Sequence, residues 1–112
     1  MENSEILSAL KGVWYIATSD EDQPHVRPFD NVAEIDEKLY FGTAKNKRVF
    51  EQLIRNPKIE VFSMNDFGTC RFMAEAVLEE NADLARKAFE KMEKPFDEEN
   101  SAAFYFSRIR KA

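Results

Sequence analysis

The clearest alternation of apolar and polar residues in the chain lies between positions 69 and 79, and it constrains the fold more than any other feature of the sequence. Successive side chains of a β-strand point to opposite faces, so this pattern predicts a strand with one face against a core and one in solvent. The apolar face comprises Cys70, Phe72, Ala74, Ala76 and Leu78, and the polar face comprises Thr69, Arg71, Glu75 and Glu79.

Similar criteria predict the elements that precede this strand. A helix with Ser4 as its cap and Gly12 at its end is followed by the β-branched and aromatic strand VWYIATS. A second strand is expected from His25 to Ile35, interrupted by Pro28, and a third at LYFGT. We expect these three strands to form a meander.

The remaining elements have clear boundary signals. A helix from about Asn46 to Arg55 is stopped by Asn56-Pro57 and leads into the strand IEVFSM. The turn Asp66-Phe67-Gly68 precedes the alternating strand, and a helix capped by Asn81 and the strand AFYFSRI complete the chain. A doubly wound fold would need regular β-α alternation, which is absent. We therefore expect one domain, residues 1–112, with an α+β, mostly β fold: an antiparallel barrel or half-barrel with peripheral helices.

Composition argues against several partners and compartments. The net charge is −5, whereas nucleic-acid binders usually present a basic face. The longest apolar run is far shorter than the ~20 residues that span a bilayer, and the first residues do not resemble a secretory signal. The single cysteine, Cys70, fits a reducing compartment. We expect a cytoplasmic protein that binds neither nucleic acid nor membranes.

Most catalytic machinery is also missing from the sequence. With one histidine, His25, and one cysteine, the chain cannot build a zinc site from such ligands by itself, and no metal site is expected. There is no P-loop, no G-x-S-x-G elbow and no Rossmann glycine pattern, since the chain has only three glycines. No catalytic residue can be assigned, so any chemistry is expected to come from a cofactor.

The segment YFGTAKNKRVFEQL is the most informative about a ligand. It places Lys45, Lys47 and Arg48 at the start of a helix, where unpaired N–H groups already carry partial positive charge. A phosphate would satisfy the helix, the cations and the hydroxyl of Thr43 together. Alternatively, the long side chains simply extend into solvent.

The segment PHVRPFDN is a second candidate. Pro28 removes one backbone donor from its strand, which suits an edge or a bulge and leaves neighbouring backbone groups free for a ligand. Arg27 beside it would supply a cation to the polar edge of a flavin ring. An edge-strand proline that prevents aggregation, with Arg27 as a surface charge, explains the same residues equally well.

The two segments, with the alternating strand, resemble the pyridoxamine 5′-phosphate oxidase-like, FMN-binding split-barrel family. The resemblance runs from Val13 to Leu78 and is carried by VWYIATSDEDQPHVRPF, KLYFGTAKNKRVFEQLIRNPKIEVFSM and GTCRFMAEAV. It implies a six-stranded antiparallel split barrel that forms a homodimer with FMN at the subunit interface. The residues implied to contact FMN are Arg27, Pro28 and Phe29 at the flavin ring, and Thr43, Asn46 and Lys47, helped by Lys45, at the ribityl chain and phosphate.

Several functions are compatible with this resemblance. The leading expectation is an FMN-dependent oxidoreductase acting on a small molecule. Vitamin B6 oxidation is not expected, because the chain is shorter than the pyridoxamine phosphate oxidases themselves. The alternatives are a non-enzymatic flavin-binding stress or redox-sensing protein, a split barrel that binds deazaflavin or, through His25, heme, and a dimeric interaction module with an empty groove.

Overall fold

The computed structural model describes residues 1–66 and 68–112, and within them seven strands form one antiparallel sheet with three helices around it. The strand order is β2-β1-β5-β6-β7-β4-β3. In chain order the elements are α1 (Asn3–Ala9), β1 (Trp14–Asp20), β2 (Gln23–Phe29), β3 (Ala33–Ile35), β4 (Lys38–Ala44), α2 (Arg48–Arg55), β5 (Lys58–Asn65), β6 (Gly68–Leu78), α3 (Ala82–Lys91) and β7 (Ser101–Lys111).

The mostly β, antiparallel architecture with peripheral helices is confirmed, but the expected count of six strands is wrong. The second expected strand, 25–35, is two strands, β2 and β3, which end up at opposite edges of the sheet. Pro28 does not interrupt β2, because it pairs with Tyr15 of β1 inside the strand. The break comes instead after Phe29. The expected three-strand meander is therefore also wrong.

The sheet is not closed by hydrogen bonds, but it curls until β2, at one edge, faces β4, the strand next to the opposite edge. Phe29 of β2 and Phe41 of β4 lie with their ring centroids 5.4 Å apart, although their strands are not paired. Trp14 of β1 completes the group, 5.2 Å from Phe29 and 5.7 Å from Phe41. These rings fill the centre of the core, so aromatic packing gives the sheet the shape of a split barrel.

The alternation predicted for residues 69–79 is present in β6. Phe72, Ala74 and Ala76 are buried and Cys70 and Leu78 are half-buried, whereas on the other face Thr69 and Arg71 are exposed and the remaining residues are half-buried. Of the turn expected before this strand, Phe67 lies outside the described residues. Gly68 is already the first residue of β6.

The helices follow their predicted positions with shifted ends. The cap of α1 is Glu2, paired with Glu5 in a capping box, rather than Ser4. Helix α2 begins at Arg48, two residues later than expected. Asn81 caps α3 as predicted. Within the described residues, none of these helices has the length and apolarity needed to cross a membrane.

Helix α3 packs on β4 at a position where only glycine fits without rearrangement. A Cβ atom added to Gly42 would lie 2.7 Å from Cζ of Phe89, closer than carbon atoms approach in folded proteins. The backbone of β4 is thus pressed against α3 on one side. Its other side and its end border the candidate site described next.

A candidate cofactor groove between β2 and the start of α2

A groove of about 490 Å³ opens between the end of β2 and the junction of β4 with α2. It brings together two segments, 27–31 and 42–49, that are separated by ten residues of chain and whose strands do not pair in the sheet. We call it the β2–β4 groove. Its lining consists of Arg27, Pro28, Phe29, Asp30, Asn31, Gly42, Thr43, Ala44, Lys47, Arg48 and Val49.

Two other surface depressions are larger but chemically less distinctive. One of about 700 Å³ is lined by Lys87 and Lys91 together with several carboxylates that offset their charge. One of about 610 Å³ lies between α1 and β6, beside Cys70. Burial raises the pKa of the Cys70 thiol, with a smaller contribution from Glu5, so the thiol is not activated as a nucleophile.

Five of the seven residues predicted from the sequence to contact a cofactor line the β2–β4 groove. They are Arg27, Pro28, Phe29, Thr43 and Lys47. The other two, Lys45 and Asn46, lie in the turn before α2, outside the lining. The backbone N–H of Lys45 donates to the carbonyl of Asn100 at 2.6 Å, and that of Asn46 donates to the Asn100 side chain at 3.2 Å.

The groove has an excess of positive charge. Among the residues that the structure describes, Arg27, Lys47 and Arg48 form no ion pair with a carboxylate. The carboxylate of Asp30 also lines the groove, but it pairs with Lys94 at 3.1 Å. The hydrogen bond from Lys94 is the main reason why the pKa of Asp30 is lowered. Three cations therefore have no charged partner.

The start of α2 adds unsatisfied backbone donors to these cations. Lys47 occupies the N-cap position, and no side chain in the described part of the chain caps the helix there. The first turn of a helix has N–H groups without intrahelical acceptors and a partial positive charge. An anionic group in the groove would meet both the helix end and the side chains around it.

Arg27 is held by two buried polar residues that sequence reasoning missed. Its Nη2 donates to Oε1 of Gln52 at 2.6 Å and its Nη1 donates to Oγ1 of Thr18 at 3.0 Å. The Thr18 hydroxyl itself donates to the same Gln52 oxygen at 2.7 Å. Burial lowers the pKa of Arg27, but a guanidinium stays protonated in proteins. Arg27 is therefore a fixed cation.

Asn31 was also missed, and it joins the two walls of the groove. Its Oδ1 accepts a hydrogen bond from the backbone N–H of Gly42 at 2.7 Å. The segment that follows β2 is thereby attached to β4. No sequence pattern pointed to the contact between Asn31 and Gly42. The contacts of Arg27 did leave a usable signal, since Thr18 and Gln52 are polar residues on otherwise apolar strand and helix faces.

Comparisons with known proteins agree with this geometry. The model of the pyridoxamine 5′-phosphate oxidase family matches residues 5–110, which includes the whole groove. The chain belongs to this family. Members of the pyridoxamine 5′-phosphate oxidase family commonly bind flavin or related cofactors and are typically dimers. No curated protein matches the chain significantly.

Solved structures of the same fold include one close enough in sequence to be a family relative. A NimC/NimA family protein of Clostridium acetobutylicum is 32% identical, with a TM-score of 0.86, and the match covers 95% of this chain and 82% of that one. A candidate pyridoxamine 5′-phosphate oxidase of Listeria innocua is 22% identical, with a TM-score of 0.70 over 96% and 94% of the two chains. A candidate 5-nitroimidazole antibiotic resistance protein of Bacteroides thetaiotaomicron is 13% identical, with a TM-score of 0.68 over 96% and 81%.

Proposed function

We propose that this protein binds FMN in the β2–β4 groove and acts as a flavin-dependent oxidoreductase on a small molecule. The observation that carries the proposal is the meeting of three unpaired cations with the uncapped start of α2. In a chain of net charge −5, such a concentration of positive charge favours a phosphorylated ligand. Membership of a family that commonly binds flavin supports FMN as that ligand.

The residues fit the parts of FMN in a definite order. The phosphate would contact the first N–H groups of α2, the Thr43 hydroxyl and the side chains of Lys47 and Arg48, because these residues line the groove at the junction of β4 with α2. Lys45 and Asn46, in the preceding turn, would contribute from the rim. The flavin ring would lie along Arg27, Pro28 and Phe29.

Bound FMN would supply the redox chemistry, since it can accept and return an electron pair. The protein's residues would orient it. Arg27 would hold a positive charge beside the ring, which favours the anionic reduced form. No residue of the groove is assigned as a catalytic acid or base, because its described carboxylate, that of Asp30, is paired with Lys94. A nitroaromatic compound is the first acceptor to test, given the fold shared with a candidate nitroimidazole resistance protein.

An apolar patch on the outer face of the sheet supports assembly of two copies. Tyr15 lies between its cross-strand neighbours Pro28 and Phe62, and the patch continues to side chains as exposed as Val26 (70%) and Met64 (71%). Contiguous apolar surface of this kind is typical of interfaces. Because Pro28 belongs to both the patch and the groove, a homodimer formed there would place FMN at the subunit boundary. Sedimentation should show a dimer that Tyr15→Glu converts to monomer.

The primary test is titration of the cofactor-free protein with FMN, followed by flavin fluorescence and melting temperature. Binding should raise the melting temperature, and Lys47→Ala or Arg27→Ala should weaken binding by about tenfold or more, since a hydrogen bond to a charged group contributes about 1.5–3 kcal/mol. Lys58→Ala, an exposed lysine away from the groove, is the matched control. Absence of FMN binding by the unmodified protein would refute the proposal.

The same titration separates the alternative cofactors, and a turnover assay separates enzyme from sensor. Binding of a deazaflavin instead of FMN would support the groove as the cofactor site but change the identity of the cofactor. Heme binding that is lost in His25→Ala would indicate an unrelated site, because His25 does not line the groove. Oxidation of NADH or NADPH with a nitroaromatic acceptor would support the oxidoreductase, and tight FMN binding without turnover would support a redox-sensing protein.

A further inference from the structure

We infer that Gln52, together with Thr18, is a positioning residue for the cofactor: it holds the guanidinium of Arg27 at the groove while leaving its positive charge uncompensated. The inference rests on the proposed function, since it concerns how the same groove is tuned. It assigns a role to two side chains that do not themselves line the groove.

The three side chains form a closed ring of hydrogen bonds. Oε1 of Gln52 accepts from both Arg27 Nη2 (2.6 Å) and Thr18 Oγ1 (2.7 Å), and Thr18 Oγ1 accepts from Arg27 Nη1 (3.0 Å). Both acceptors are almost fully buried, with 3% of Gln52 and 2% of Thr18 exposed. Buried acceptors on a strand and a helix have little freedom to move, so they define where the guanidinium lies.

The chemistry of the two acceptors is as informative as their position. Arg27 is half-buried, and a guanidinium removed from water commonly pairs with a carboxylate, which would cancel the charge. Arg27 is held by an amide and a hydroxyl, which are neutral acceptors. Only two of the five N–H donors of a guanidinium are used in these bonds, so the remaining donors and the full charge are available to a ligand.

The position of Gln52 on the apolar side of α2 also needs an explanation. Gln52 lies between Val49 and Leu53 on the buried face of the helix. Burying an amide there costs free energy unless it is hydrogen-bonded, and an apolar residue would pack at the same position without that requirement. The contact with Arg27 and Thr18 supplies the hydrogen bonds, so the glutamine is best explained by the arginine it holds.

The test is a double-mutant cycle between positions 52 and 27, read as the dissociation constant for FMN. Gln52→Met keeps the length of the side chain and removes the acceptor, and we expect it to weaken FMN binding by about three- to tenfold. In an Arg27→Met background the same change should have no further effect. Equal effects in both backgrounds would overturn the inference, because they would show a purely structural role. Gln23→Met, at an exposed position of β2, is the matched control.

Gln52→Glu separates position from charge. It preserves the acceptor and adds a carboxylate, so Arg27 should stay in place while its charge is cancelled. We expect weaker FMN binding and a lower midpoint potential of the bound flavin, because the anionic reduced form loses a nearby cation. An unchanged potential would contradict the inference. Thr18→Val, which removes one hydroxyl at constant shape, should produce a smaller loss of affinity than Gln52→Met.

A measurement without cofactor distinguishes failure of this inference from failure of the proposed function. The side-chain Nε–Hε group of Arg27 should be ordered by NMR relaxation in the unmodified protein and in Gln52→Glu, and mobile in Gln52→Met. Equal mobility in all three would overturn the positioning role whether or not FMN binds. An ordered Arg27 in a protein that binds no FMN would instead overturn the proposed function and leave the hydrogen-bond ring standing.

Discussion

The starts of α2 and α3 are built in opposite ways within the same small protein. At α3, Oδ1 of Asn81 accepts from the N–H groups of Asp83 (2.9 Å) and Leu84 (3.1 Å), and Asp83 adds a negative charge to the first turn. At α2, the N-cap is Lys47, Arg48 follows it, and no described side chain caps the helix.

This difference indicates that the uncapped, cationic start of α2 does not arise because the chain is unable to cap a helix. The chain satisfies the donors of α3 with its own side chains, as stability alone would favour. At α2 no described side chain caps the first N–H groups, and Lys47 and Arg48 add positive charge at a cost in stability, although Glu51 also lies in the first turn. The start of α3 thus has an internal partner, and the contrast supports the proposal that the start of α2 has a ligand as its partner.

The largest expected effect comes from giving α2 the cap that it lacks. Lys47→Asp should weaken FMN binding by about 100-fold, because it removes one charge-assisted contact and adds repulsion of the phosphate. It should also stabilise the cofactor-free protein by about 0.5–1 kcal/mol, through the cap and the helix dipole. Calorimetric titration and urea unfolding measure the two effects. Unchanged FMN affinity would contradict the comparison, and Lys58→Asp is the control for charge alone.

A smaller effect is expected at the contact that precedes α3. The buried Tyr40 hydroxyl donates to Oε1 of Glu79 at 2.6 Å, and Oε2 of Glu79 accepts from the N–H of Asn81. Tyr40→Phe should lower the free energy of unfolding by about 1.5 kcal/mol, as for a hydrogen bond to a charged group. Denaturant titrations should detect this loss without any change in FMN affinity.

The pH dependence of stability provides a second test of the contact between Tyr40 and Glu79. Burial, followed by the hydrogen bond to Glu79, raises the pKa of Tyr40 in the folded protein. In the unfolded chain the phenol loses its proton near pH ~10, so above that pH the unfolded state binds fewer protons than the folded state. Stability should therefore fall as pH rises above about 10. The free energy of unfolding should fall less steeply with pH in Tyr40→Phe. An identical slope in the two proteins would show that Tyr40 does not cause the fall.

Removing the cap of α3 should cost less. Asn81→Ala takes away the acceptor of two N–H groups and should reduce the free energy of unfolding by about 1 kcal/mol. FMN affinity should not change, because no residue of this helix start lines the groove. Asn81→Asp, which keeps the acceptor, should restore stability. A loss of FMN binding in Asn81→Ala would break the distinction between the two helix starts.

The smallest effect is expected at the carboxylate inside the groove. Asp30 and Lys94 are 60% and 38% exposed, so Asp30→Asn should change stability by no more than about 0.5 kcal/mol. Because the pKa of Asp30 is lowered on folding, that contribution exists above pH ~4 and is lost as pH falls further. FMN should bind slightly tighter to Asp30→Asn, and weaker binding would show that Asp30 contacts the ligand favourably.

Features that depend on neighbouring residues were predictable from the sequence. The alternation of β6 and the cap of α3 are local patterns, and so is the concentration of cations around Lys47. Each of these patterns can be interpreted with only the geometry of a single strand or a single helix end. The two segments that line the candidate groove were predicted in the same way, each from its own composition.

Features that depend on distant contacts were not predictable. Nothing local shows that the chain breaks after Phe29 rather than at Pro28, because the break is decided by which strands β2 and β3 join. The turn at Lys45 and Asn46 faces Asn100, more than 50 residues away. The ring formed by Thr18, Arg27 and Gln52 likewise joins three separate elements, and only its polar members on apolar faces hinted at it.

The aromatic contact between β2 and β4 has a consequence for motion. The two walls of the groove are joined by the Phe29–Phe41 ring contact and the Asn31–Gly42 hydrogen bond, and in the described part of the chain no ladder of backbone hydrogen bonds connects them. Separating them exposes ring surface while every strand keeps its own pairing. The two edges of this open sheet can therefore move apart at the groove without breaking the backbone hydrogen bonds of any paired strands.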